Sequence, residues 1–127
     1  MIGSTRQVRV FAYGEPCDMR KQYDSLAVLV TGAMGHLILS GDLFVFVGKN
    51  RRRAKVLYFD GTGLCLFAKR LERGRFAALW EKRAAGQKPF AMTQSELALF
   101  LEGSDAVGRI ALSPPEVTYA DRRVVFA

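Results

Sequence analysis

The stretch from Leu43 to Trp80 constrains this chain most, because it alternates short apolar runs with cationic, glycine-bearing turns. LFVFVG (Leu43–Gly48) and KVLYFDG (Lys55–Gly61) are rich in β-branched and aromatic residues and too short for helices. A basic link, Lys49 to Arg53, joins them, which predicts an antiparallel hairpin with the cations at its tip. Asp60-Gly61-Thr62-Gly63 predicts a second tight turn, since glycine supplies the positive φ that such turns need. It leads into LCLFAKRLE, and ERGRF (Glu72–Phe76) predicts a third turn into FAALW. An amphipathic α-helix cannot be built from runs this brief, so the middle of the chain has to be sheet.

Helices are expected on either side. Asp18 is the expected N-cap of MRKQYDSLAVLVTGAM, in which Met19, Tyr23, Leu26, Val30 and Ala33 mark one apolar stripe. Gly32 and Gly35 are its expected end. Thr93-Gln94-Ser95-Glu96 has the form of a capping box and opens a short helix with Leu97, Phe100 and Leu101 on one face. VRVFA (Val8–Ala12) reads as an initial strand. The expected fold class is therefore α+β: a twisted antiparallel β-meander of about four to five strands, with one helix before it and one short helix after it. Residues 8–105 are expected to form a single domain, and residues 106–127 a C-terminal arm that docks or serves assembly. A length of 127 residues with half of them apolar is enough for one core.

Charge is concentrated on the same central stretch. Between Lys49 and Arg83 eleven basic residues face three acids, a net of +8, against +7 for the whole chain. Such a concentration reads as a surface for a polyanion. Lys49, Arg51, Arg52, Arg53, Lys55, Lys69, Arg70, Arg73 and Arg75 are the candidate nucleic-acid contacts, because guanidinium forks match phosphate oxygens and a two-stranded ribbon fits a DNA groove. The competing reading is a solvated turn that keeps an apolar sheet soluble. Register decides which cations share a face, and a one-residue slip reverses every assignment. Arg20 and Lys21 stand at the unfavourable positive end of the expected first helix, which points to a partner for them.

Catalytic and metal chemistry find little support. Cys17, Cys65 and His36 do not make a usual zinc site, and no cofactor is expected. A Cys17–Cys65 disulfide is open to the chain, but nothing in the pattern demands it. Asp18, Asp24, Asp42 and Asp60 suggest a two-metal nuclease only weakly, because no D…D…E set sits on a ribonuclease-H-like βαβ pattern, the chain is short for one, and Asp42 and Asp60 read better as turn formers. Gly61-Thr62-Gly63 joins two strands and lacks the lysine of a phosphate loop. Tyr58, Phe59, Phe67, Phe76 and Trp80 are expected mostly in the core, with at most one or two exposed for stacking on bases. No apolar run is long enough to span a membrane, and no leader pattern opens the chain, so a cytoplasmic protein is expected.

Several of these pieces together resemble the TnpB accessory proteins of the insertion sequence sixty-six family. They are Asp18-Met19-Arg20-Lys21 with Asp24 and Leu26, then Leu43-Phe44-Val45-Phe46, Lys55-Val56-Leu57, Asp60-Gly61 and Gly63-Leu64-Cys65-Leu66. Lys69-Arg70-Leu71, Glu72-Arg73-Gly74-Arg75-Phe76 and Leu101-Glu102-Gly103 with Asp105 complete the set. The resemblance runs roughly from Val8 to Asp105. It departs at Ala68, where many relatives carry an aromatic residue, and in the variable TGAMGHLIL region. It implies a protein that accompanies a separate transposase and is needed for efficient transposition; it carries no catalytic residues over.

Two principal readings follow. In the first, the chain is a non-catalytic accessory protein that binds element DNA through backbone contacts of weak sequence specificity, the cognate transposase, or both. In the second it is a protein-interaction module without direct DNA contact, whose arginines meet acidic groups on the transposase or on a second copy in a homo-oligomer. A metal-dependent nuclease built on Asp42 and Asp60 is a distant third.

Overall fold

The computed structural model describes residues 7–80 and 90–103. Five strands make one mixed sheet: β1 (Val10–Ala12), β2 (Leu43–Val47), β3 (Arg53–Phe59), β4 (Leu64–Arg70) and β5 (Phe90–Met92). Their order across the sheet is β4-β3-β2-β1-β5. One helix, α1 (Tyr23–Val28), lies between β1 and β2 in sequence, and α2 (Gln94–Leu101) follows β5. The α+β class holds, with one helix before the meander and a short one after it.

The meander β2-β3-β4 is antiparallel, as its turns require, with Val45 opposite Val56 and Val56 opposite Phe67. Asp60 closes the β3–β4 turn by accepting from the amides of Thr62 and Gly63, and Gly61 takes φ of 109°. The first strand adds to the β2 edge of the meander, but not in the antiparallel sense expected. β1 runs parallel to β2, with Val10 opposite Leu43, and antiparallel to β5, so the sheet is mixed. Parallel neighbours need a crossover longer than a hairpin, and the α1 segment supplies it.

Two further expectations are corrected. FAALW is not a strand: Phe76 and Leu79 are buried against α2, and the fifth strand forms at Phe90–Met92 instead. The first helix starts at Tyr23 rather than just after Asp18, because Asp18 spends its carboxylate on the backbone and guanidinium of Arg20. Ser25 Oγ accepts the Gln22 amide at the true helix start. The last turn widens into a π-helix over Leu29–Ala33, closed by Met34 N–H donating to the Leu29 carbonyl, and Gly35 ends it at φ of 69°. The capping box before α2 forms as expected: Thr93 Oγ1 accepts from Glu96 N–H, and the Glu96 carboxylate accepts from Thr93 N–H.

Strand alternation divides the core between the two faces of the sheet. One face holds Val10, Ala12, Val45, Val47, Ala54 and Val56 under α2, with Phe76 and Phe100 stacked at 5.1 Å between centroids. The other holds Phe44, Phe46 and Leu57 under α1, through Leu26 and Val30. Among the described residues no helix is long and apolar enough to cross a membrane. The C-terminal arm at 106–127, the RAAGQKP linker and the cations Lys82 and Arg83 lie outside the described residues.

Candidate nucleic-acid interface

The loop Asp18–Lys21 is fixed before any ligand arrives. Cys17 forms a parallel bridge with Gly48, its amide donating to the Val47 carbonyl at 2.9 Å, so the chain leaving β1 extends alongside the end of β2. Met19 then lies over Gly48 so closely that a Cβ there would stand 2.7 Å from Met19 Cγ. Lys55 reaches across from β3 and donates Nζ to the Lys21 carbonyl at 2.8 Å. Asp18 and Arg20 pair at 2.8 Å on the surface, and hydrogen bonds from Arg20 hold the Asp18 carboxyl well below the usual carboxylate range.

Gly48 therefore sets how near the loop can come. Gly48→Ala is expected to push Met19 off the sheet at a cost of about 1–3 kcal/mol, the range for overpacking a tight contact. Urea unfolding measures it, and adding Met19→Ala should recover most of the loss. An equal loss in the double variant would mean that the Met19 contact is not the cause.

The basic turn between β2 and β3 is not a free hairpin tip. Leu71 N–H donates to the Arg52 carbonyl at 2.8 Å, and Phe76 N–H to the Arg51 carbonyl at 2.7 Å. These bonds bind the turn to the Glu72–Arg75 turn, so Lys49, Arg52, Arg73 and Arg75 come out exposed at one end of the sheet. Arg51 has a structural share in this. It is the single non-glycine residue of positive φ among the described ones, at 61°, and its guanidinium donates to the Phe76 carbonyl.

Register separates the remaining cations. Arg53 is opposite Arg70 and Lys55 opposite Ala68, which puts all four side chains on the α1 face. Lys69, opposite Ala54, goes to the α2 face and donates Nζ to the Leu101 carbonyl at 2.8 Å. A cation there suits the negative end of α2. Lys55 is buried, whereas Arg53 and Arg70 are exposed. Arg70 also pairs with Glu72 at 3.1 Å.

The result is a pair of open clefts that share Met19 and Arg53. One, of about 650 Å³, has Arg20, Lys49, Asn50 and Arg53 in its walls. The other, of about 490 Å³, continues past Arg53 to Gln22, Arg70 and Glu72. Arg20, which the sequence set apart from the basic meander, thus faces the same groove as Lys49 and Arg53. Met19 and Gly48 bring the two walls together, a role that neither the helical stripe and motif containing Met19 nor the strand ending at Gly48 announced. The one available signal was a glycine placed directly after an apolar run. Four exposed cations line a channel whose acidic groups, Asp18 and Glu72, are each paired with an arginine of the same channel.

The other candidates take structural places. Asp42 is 1% exposed and accepts from Arg9 N–H, from Arg9 Nη2 at 3.0 Å and from Ser40 Oγ. Asp60 is held at a pKa of about 2, first by the Thr62 and Gly63 amides and then by the Thr62 hydroxyl. Among the described residues no group of three or more His, Cys, Asp or Glu side chains is placed to hold a metal ion. His36 stacks on Phe11 at 4.0 Å between centroids. Both cysteines are free; burial pushes the Cys17 thiol up to about 11. Of the five aromatics singled out, Phe67 is exposed, at 45%, and Phe76 is fully buried.

A family model described as IS66 Orf2 like protein matches residues 8–109 of the chain. Two uncharacterized proteins of Sinorhizobium fredii are similar to it. The protein y4hO is 39% identical over 105 residues, covering 83% of this chain and 88% of that protein. The protein y4jC is 34% identical over 105 residues, covering 83% and 86%. No solved structure matches.

Proposed function

The chain belongs to the IS66 Orf2-like family, whose members have an accessory role associated with transposition, and from that premise we propose that it is a non-catalytic factor holding the phosphate backbone of element DNA in the groove between the Asp18–Lys21 loop and the basic meander. The observation that carries the reading is the convergence of Arg20, from the Asp18–Lys21 loop, with Lys49 and Arg53, from the β2–β3 hairpin, on one cleft, with Arg70 beyond Arg53 in the next. Lys49, Arg52, Arg73 and Arg75 extend the cationic surface around the end of the sheet. Arg51, Lys55 and Lys69 hold the backbone that presents it. Contacts of this kind position a duplex electrostatically and read few base edges, so affinity depends on salt far more than on sequence.

A fluorescence anisotropy titration of element-end and scrambled duplexes across a salt series tests this. Both duplexes should bind with similar affinity. Arg20→Ala and Lys49→Ala should each make the log–log salt slope shallower by about 1, as loss of one phosphate contact does. Absence of binding at low salt would overturn the proposal. The groove would then be sought as a docking face for acidic side chains of the transposase. Leu37 and Leu39, 76% and 62% exposed, favour a protein partner on a surface of their own, since DNA backbone offers them nothing.

A further inference from the structure

Strand β4 lies at the margin of the sheet and, among the described residues, pairs with β3 alone. An outer row of backbone amides and carbonyls is a template for another strand, and proteins ordinarily blunt such edges with proline, bulges or charges. β4 has none of these over most of its length. Its seven residues pair with β3 in unbroken register from Arg53–Arg70 to Phe59–Leu64, without a bulge. Leu64-Cys65-Leu66-Phe67-Ala68 contains neither charge nor proline, and Phe67 is 45% exposed.

We infer that β4 is a self-association edge, pairing antiparallel with β4 of a second copy about a two-fold axis at Phe67. The choice of occupant and direction follows from charge. The one antiparallel register that overlaps all seven residues sets Phe67 opposite its own copy, Leu64 opposite the partner's Arg70, and Cys65 opposite the partner's Lys69. It also carries the cationic Glu72–Arg75 turn toward the partner's Asp60–Gly63 turn, where Asp60 is ionised. A parallel pairing would instead place Lys69 and Arg70 beside their own copies, and like charges at that spacing oppose association. The antiparallel pair is isologous and closes on itself, as two-fold dimers do. It needs no nucleic acid and stands apart from the reading of the groove. Its geometry bears on that groove nonetheless: a two-fold axis perpendicular to the sheet leaves the Arg53–Arg70 face of both copies on the same side.

Sedimentation velocity on nuclease-treated protein at about 10–100 μM tests it. The wild type should sediment as a dimer of the 14.1 kDa chain. Phe67→Lys places two cations directly opposite one another, so its dimer dissociation constant should rise at least about tenfold. Leu37→Lys, on another surface, should leave the dimer intact. A second variant guards against misfolding: Phe67→Cys with Cys65→Ser should form a covalent dimer under mild oxidation, joined through position 67. Cys17, buried and with its thiol pushed up to about 11, stays out of the reaction. A monomeric wild type overturns the inference and points to coverage of the edge by the chain itself. A dimer that survives Phe67→Lys unweakened, or a Phe67→Cys variant that fails to cross-link, overturns it as well.

Discussion

Phe100→Ala should lower the unfolding free energy by about 3–5 kcal/mol, the usual cost of emptying a buried phenylalanine site. Phe100 is fully buried and stacks on Phe76 with 25° between the ring planes, and together they join α2 to the segment that follows the Glu72–Arg75 turn. Domains of this size have only about 5–15 kcal/mol in total, so the loss is a large fraction of it. A urea titration followed by circular dichroism measures the change. Phe76→Ala should cost a similar amount, and the double variant less than the sum, because each ring removed takes the same contact with it. A loss below about 1 kcal/mol for Phe100→Ala would mean that α2 is an appendage and contributes little to the core. The consequence reaches the basic surface. Phe76 N–H bonds to the Arg51 carbonyl, and Arg51 Nη1 to the Phe76 carbonyl, so the exposed cations of the turn are positioned by the same buried ring.

Signals that act over a few residues were legible in the sequence. The β2-β3-β4 meander, the Asp60–Gly63 turn and the Thr93–Glu96 capping box all depend on neighbours, and all formed where their residues predicted. Pairings that depend on distant partners were not legible. Val10–Ala12 reads as a strand wherever it pairs, and nothing in it specifies a place parallel to β2 and antiparallel to β5. Asp18 failed as a helix cap because Arg20, two residues on, competes for the same carboxylate. Competition of that kind is decided by geometry that a helix-start pattern does not contain. FAALW has the composition of a strand, yet Phe76 and Leu79 are drawn under α2, so burial overrode local preference. The cations show the same limit most plainly. Lys55 and Arg53 look alike in the sequence and share one face of β3, yet Lys55 is buried as a latch on the Lys21 carbonyl while Arg53, at the strand's first position, is left exposed in the groove.

That difference between two basic residues on one face of one strand yields the sharpest test of the site. Arg53 is common to both clefts, so Arg53→Glu removes a phosphate contact and adds a repulsive charge at the middle of the groove. Duplex affinity should fall by about 10- to 100-fold near 100 mM salt, with a slope shallower by at least about 1. Lys55→Met should behave differently. Its Nζ is spent on the Lys21 carbonyl, and a methionine fills the same buried space without a polar group to satisfy. Removing the donor alone leaves the Lys21 carbonyl without its partner, so the unfolding free energy should fall by about 1–3 kcal/mol. The Asp18–Lys21 loop also loses its tie to β3, and Arg20 is no longer held at the groove. Affinity should drop about 3- to 10-fold, because the freed loop must be ordered on binding. The slope should stay near that of the wild type, since Arg20 still reaches the same phosphate in the complex. A slope that becomes shallower by about 1 with Lys55→Met would make Lys55 a phosphate contact itself. Its assignment as a latch on the Lys21 carbonyl would then be wrong.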